Sequence, residues 1–242
     1  MTDSQLDAFL GGRLHVWQPK QGYRAGVDPV LLAASVPARP GQSVLDLGCG
    51  VGTAALCLGA RVPDLELIGL ERNPVYAALA RRNGLQVVEG DVAAMPDTLK
   101  ARSFDYVIAN PPYFDRAHGR PSADQNREEA LGEVTPLATW VTAAAKRLKH
   151  RGYAYFIHRP ERLPDLLSAA QQVLGSIEVL PLAPRSGRNA SLILLRGRKG
   201  GRSPFRLHFP RILHRGATHV ADEDDYTPEF SAIFRDAGSL EF

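Results

Sequence analysis

The sequence predicts an α/β fold: a mostly parallel, seven-stranded sheet with a C-terminal antiparallel hairpin. Three observations carry that expectation. Short β-rich runs alternate with helical stretches through the middle of the chain, the order of a doubly wound sheet. A glycine loop, Gly48-Cys49-Gly50-Val51-Gly52, joins the first of these strands to the next helix. The run Phe104–Ala109 stops at Asn110-Pro111-Pro112-Tyr113, where two prolines end the strand and set the following turn.

Taken in order, Gly22–Pro29 reads as a loop that ends on Asp28 as a helix N-cap, with Pro29 at the first helical position and an apolar helix over Val30–Val36. Five strands are expected at Ser43–Leu47, Leu65–Leu70, Gln86–Glu89, Phe104–Ala109 and Tyr153–His158. Between and after them, helices are expected at Thr53–Arg61, Pro74–Asn83, Ala93–Lys100, Glu133–Lys149 and Pro160–Val173. Ile177–Leu182 and Ser191–Leu195 then form the hairpin, and the alternation of Phe205–Phe209 suggests one more edge strand. The polar, turn-rich stretch between Tyr113 and Glu133 reads as a loop over the carboxyl end of the Phe104–Ala109 strand.

With 242 residues, 44% of them hydrophobic, the chain can bury a substantial core. One domain is expected over 1–242: an extension over 1–42, a core over 43–200, and a C-terminal extension over 201–242. No charged-then-apolar leader and no run of about 18 apolar residues is present, so the expectation is a soluble, cytoplasmic protein with no membrane role. Cys49 and Cys57 alone support neither a disulfide framework nor a cysteine zinc site. His208, His214 and His219 stand six and five residues apart in the basic block, so no metal is expected. The net charge of +3 hides an asymmetry. Arg185 to His219 holds nine basic residues and no acid, and Asp222-Glu223-Asp224-Asp225 follows. Such a block suits a polyanion, and Arg185, Arg188, Arg198, Lys199 and Arg202 are its candidate RNA contacts.

The glycine loop follows Val44-Leu45-Asp46-Leu47. A dinucleotide fingerprint would space its glycines G-x-G-x-x-G, but position 53 is Thr and Gly52 comes one residue early. The G-x-G-x-G spacing after an acidic strand resembles class I methyltransferases, which bind S-adenosylmethionine on a Rossmann-like sheet. Gly48 and Gly50 would form its floor and Asp46 would hold the methionine ammonium group, directly or through water. Glu71, about twenty residues on, can accept both ribose hydroxyls; Asp91, beside Val92, can accept from the adenine amine. With Glu71, Asp91 and Asn110 at consecutive strand ends, the dinucleotide alternative loses ground.

An adenine amine is a poor nucleophile because its lone pair is conjugated with the ring. If the Asn110 side-chain carbonyl and the Pro111 backbone carbonyl accept its two protons, the nitrogen becomes more tetrahedral and can attack a methyl group, with Pro112 fixing the turn and Tyr113 stacking on an extruded base. The amide nitrogen of glutamine is conjugated in the same way, so the motif alone leaves a protein substrate open.

From Gln18 to Leu213 the chain resembles the bacterial tRNA(Val) adenine-37 N6-methyltransferase family. The matching segments are Gln18–Arg24, Val27–Leu32, the glycine loop, Asn110–Phe114 and Ile157–Pro160. The resemblance implies that Arg24 and Asp28 sit near the cofactor and that Phe114 belongs to the substrate side. The function expected is S-adenosylmethionine-dependent N6-methylation of adenine in RNA, most simply tRNA. The alternatives are a release-factor-type protein-glutamine methyltransferase, disfavoured because only 42 residues precede Ser43, and a non-catalytic cofactor-binding RNA module, disfavoured by the intact Asn110 motif.

Overall fold

Parallel strands ending on one rim organise the molecule. The computed structural model describes residues 3–115, 132–133, 135–216 and 225–242. Strands β1 (Ser4–Phe9) and β2 (Leu14–Pro19) form an antiparallel hairpin, followed by α1 (Asp28–Ser35). Then come β3 (Ser43–Leu47), α2 (Thr53–Arg61), β4 (Glu66–Glu71), α3 (Pro74–Arg82), β5 (Gln86–Glu89), α4 (Asp97–Lys100) and β6 (Phe104–Ala109). Two short strands, β7 (Phe114–Asp115) and β8 (Gly132–Glu133), pair with each other. The chain continues through α5 (Leu137–Arg147), β9 (Leu148–His158), α6 (Leu163–Val173), β10 (Gly175–Ala183), β11 (Leu192–Arg198), β12 (Arg206–Leu207), β13 (Arg211–Ile212) and α7 (Pro228–Asp236).

The main sheet runs β12-β10-β11-β9-β6-β3-β4-β5, with β13 also on β10. The strands β9-β6-β3-β4-β5 are parallel; β11 is antiparallel to both β9 and β10. All five residues of β3 are buried, as a central strand covered on both faces requires. Its side chains alternate: Leu45 and Leu47 join the core under α5 and α6, and Val44 joins the core under α1, α2 and α7. Among the described residues, no helix is long and apolar enough to cross a membrane.

The expected α/β sheet and hairpin are present, with corrections. The main sheet has nine strands rather than seven, because the C-terminal extension adds β12 and β13 at its edge. Asp28 is not an N-cap but the first residue of α1, after Val27; its carboxylate takes the Tyr113 hydroxyl instead of a helix amide. The helix expected over Glu133–Lys149 begins only after Pro136 and ends at Arg147, since Leu148 turns extended to enter β9. That strand is longer than expected, and Phe205–Phe209 narrows to a two-residue strand. The β1–β2 hairpin and α7 were not expected. They meet each other: Arg13 Nη2 bonds Asp236 Oδ1 at 3.1 Å, and Gly11, at φ +65°, lies so close to α7 that a Cβ there would be 2.6 Å from the Arg235 carbonyl. The loop expected over residues 116–131 and the acidic run 222–224 lie outside the described residues.

Candidate active site

The carboxyl ends of β3, β4, β5 and β6 open into a cavity of about 480 Å³, at the rim where open α/β sheets bind ligands. Its wall is built from Gly48 and Gly50 after β3, Glu71 at the end of β4, Asp91 and Val92 after β5, and Asn110, Pro111, Pro112 and Tyr113 after β6. Thus all nine of these sequence-assigned residues come together.

Gly48 has φ +64°, and a Cβ there would lie 2.5 Å from the Trp140 ring, so the loop packs flat against α5. Trp140 is fixed in turn by its Nε1 donating to the Thr135 carbonyl at 3.2 Å. The Glu71 carboxylate accepts from Gly50 N at 2.9 Å and from Asn73 N at 2.8 Å, which ties the glycine loop to the β4–α3 turn. Each oxygen keeps a lone pair for a ligand hydroxyl. Burial raises the Glu71 pKa against those two amides, which favour the charge. Asp91 accepts from Ala93 N at 2.7 Å through one oxygen and faces Arg72 at 3.9 Å with the other.

Asn110 is the decisive group. Its Oδ1 is buried and has no hydrogen-bond partner among the described residues. Tyr23 also lines the cavity, with its hydroxyl near the Asn110 side chain and no hydrogen bond of good geometry between them. A buried acceptor without a donor costs free energy unless a ligand supplies one. Tyr23 was not assigned from sequence. It is placed by Tyr76 of α3, whose hydroxyl accepts from Tyr23 N at 3.0 Å.

Tyr113 is held tightly. Its hydroxyl donates to Asp28 Oδ2 at 2.5 Å, the Arg159 guanidinium lies 5.3 Å from its ring centroid, and the His158 ring is 5.1 Å away. Burial, then Asp28, pushes the phenol pKa up, so Tyr113 stays neutral. His158 is fully buried; its Nδ1 accepts from Arg159 N at 2.8 Å, which leaves the proton on Nε2, directed at the Pro112 carbonyl without good hydrogen-bond geometry. Burial, then Arg162, lowers its pKa to about 4, so it is no base at neutral pH.

Three expected cofactor residues do not line the cavity. Asp46 is 2% exposed beneath the loop, accepts from Ala55 N at 3.3 Å, and is pushed by burial, then by Glu71, up to about 8. Arg24 turns outward to Asp7 at 2.6 Å, and Asp28 reaches the site only through Tyr113. Of the expected RNA contacts, Arg185 and Arg188 sit on or beside the β10–β11 turn, at the same rim as Asn110. Arg185 is, however, taken up by Asp225, and Arg188 stays exposed. Arg198 and Lys199 lie at the opposite end: Arg198 shares a rung with Tyr153 and Tyr106, and Lys199 Nζ donates to the Leu148 carbonyl at 2.8 Å. Arg202 is exposed just beyond. The side chain of Phe114 lies outside the described residues. Two of the basic-block histidines have acidic neighbours in space: His208 bonds Glu178 at 2.8 Å and His214 bonds Asp225 at 2.6 Å, while His219 lies outside the described residues.

Residues 25–177 match the family described as methyltransferase small domain. A Porphyromonas gingivalis tRNA1(Val) (adenine(37)-N6)-methyltransferase is 31% identical, over 66% of this chain and 68% of its own length. The chain belongs to this methyltransferase family. The Haemophilus influenzae tRNA1(Val) (adenine(37)-N6)-methyltransferase is 26% identical and matches nearly end to end, over 96% of this chain and 98% of its own. Among solved structures, a predicted O-methyltransferase from Agrobacterium tumefaciens superposes with a TM-score of 0.70 at 25% identity, covering 89% of this chain and 99% of that one. The cavity of this methyltransferase-family chain offers carboxylates at Glu71 and Asp91, a glycine floor at Gly48 and Gly50, and the unpartnered acceptor of Asn110.

Proposed function

We propose that this chain uses S-adenosylmethionine to methylate the N6 amine of an adenine in tRNA, at a site of the tRNA1(Val) adenine-37 type, in the cytoplasm. The observation that carries this reading is the buried, unpartnered Oδ1 of Asn110, a residue of the cavity wall. The methyl donor is S-adenosylmethionine, which supplies an electrophilic methyl group when bound. Glu71 and Asp91 would hold its ribose and adenine, over the floor made by Gly48 and Gly50.

The protein's own part in the chemistry is orientation. Asn110 Oδ1 and the Pro111 carbonyl accept the two protons of the target amine, which withdraws its lone pair from the ring and aims it into the cavity. The Tyr23 hydroxyl lies beside the Asn110 amide, and Pro111-Pro112 restrict the backbone around it. Asp28 and Arg159 hold Tyr113 beside the base, which must leave its stack to enter. His158 is neutral and buried, and Tyr113 is a neutral phenol, so the proton released after transfer passes to solvent without a dedicated base.

The test uses the purified protein, labelled S-adenosylmethionine, and separate tRNA, rRNA, DNA and protein fractions. Label should enter tRNA and, after digestion, migrate as N6-methyladenosine. Asn110→Ala should lower turnover by about a hundredfold or more, with S-adenosylmethionine affinity nearly unchanged, because the lost acceptor matters most as the amine rehybridises. Label confined to protein would transfer the reading to glutamine. Undiminished turnover in Asn110→Ala would reduce the motif to a strand-ending turn.

A further inference from the structure

Among the described residues the three most exposed large apolar side chains occupy one short stretch: Phe209 is 88% exposed, Leu207 63% and Phe205 50%. They recur at every second position, and the intervening His208 is half-buried, with its Nε2 bonded to Glu178 at 2.8 Å and its ring against Phe242. The stretch contains β12, the last strand of the sheet on this side. Arg202 and Arg206 are exposed on it and make no ion pair among the described residues, and no acid occurs between Arg185 and His219.

The position of this edge relative to the site follows from the pairing registers. Leu207 shares a rung with Val179, Leu195, Phe156 and Ala109, and Asn110 comes immediately after Ala109. Phe209 therefore lies at the same end of the sheet as the site, four strand spacings away, or roughly 19 Å. We propose that this edge docks the RNA substrate, with Phe209 and its apolar neighbours stacking on unpaired bases and Arg202 and Arg206 taking phosphates. The inference rests on the tRNA reading above and adds a surface to it.

Charge selects the partner. Self-complementary pairing of this edge with a second copy would set arginine against arginine, since the neighbouring acids Glu178 and Glu229 are already paired with Arg196, His208 and Arg211. A polyanion carrying flat apolar bases satisfies both features at once, as single-stranded nucleic-acid sites do. An RNA hairpin with one base at Asn110 spans this distance.

The test measures binding of the full chain to an unmodified tRNA(Val) transcript across a salt series. Phe209→Ala, at an exposed position where folding is not at stake, should weaken RNA binding by roughly fivefold to a hundredfold, the range for one lost base stack. Arg202→Ala with Arg206→Ala should flatten the logarithmic salt slope by about 0.7 for each lost contact. S-adenosylmethionine affinity and turnover at saturating RNA should match the parent. If the parent methylates the transcript but the variants bind it with parental affinity and slope, the docking surface is wrong and the function stands. If the parent neither binds nor methylates any RNA, the function itself falls and takes this surface with it. A parental dimer that Phe209→Ala dissociates would make a second copy the occupant and overturn the proposal.

Discussion

Asn110 shows how one side chain acquires a role from its neighbours. An asparagine amide can present either its carbonyl or its NH₂, and the proposed chemistry uses the carbonyl. The Tyr23 hydroxyl lies beside this amide, and Oδ1 is buried without a partner. Tyr23→Phe removes that hydroxyl while keeping the ring against the cavity. Turnover should fall about ten- to a hundredfold, with S-adenosylmethionine affinity within about twofold of the parent. Single-turnover rates and calorimetric titration measure the two, and an unchanged rate would remove Tyr23 from the mechanism. Glu71, Asp91 and Asn110 were legible in the sequence because each follows a recognisable strand, and strand ends converge on one rim. Tyr23 was not legible: it meets Asn110 across 87 positions, from a loop that Tyr76 and Gln18 hold in place. Asp46 was legible only in part. Its position in β3 could be read, but not that its carboxylate would turn under the loop to the amide of Ala55.

At the scale of elements, the glycine loop proposed as the cofactor floor depends on a helix far along the chain. Trp140 of α5 lies where a Cβ on Gly48 would stand, and Gly48 is held at positive φ. Gly48→Ala therefore meets both a backbone penalty and a ring that Thr135 keeps from withdrawing. The variant should lose about 1–3 kcal/mol of stability and at least tenfold in S-adenosylmethionine affinity, read by thermal unfolding and by titration. Parental values for both would mean that Trp140 moves aside freely. The central strands and α2 were readable because β3 and its neighbours are continuous apolar runs bounded by glycine and proline. The limits of α5 were not. The apolar pattern runs on from Val141 and Ala144 through Leu148, and only the pairing of Leu148 with Phe104 makes that residue the start of β9. The hairpin β1–β2 escaped notice because its glycines, Gly11 and Gly12, turn the chain against α7, a partner more than two hundred residues away.

At the scale of the molecule, the two ends of the chain close on the site together. α7 buries Phe230 and Ile233 against α1, and Leu240 N bonds the Ala34 carbonyl at the end of that helix at 2.9 Å. The first residue of α1 is Asp28, which holds Tyr113, so packing of the C-terminal tail supports the substrate side of the cavity through one rigid helix. Phe230→Ala removes a fully buried ring from this junction. The expected cost is about 3–5 kcal/mol, a large part of the stability of an ordinary domain. Urea unfolding should show a lowered midpoint with little change in slope. Saturating S-adenosylmethionine should restore part of the loss, about 2.7 kcal/mol at a hundredfold excess over its Kd, because it binds only the folded state. If the variant unfolds like the parent, α7 is an appendage and not a brace. If the midpoint falls but the cofactor restores nothing, the tail's packing reaches the cofactor cavity as well as the substrate side.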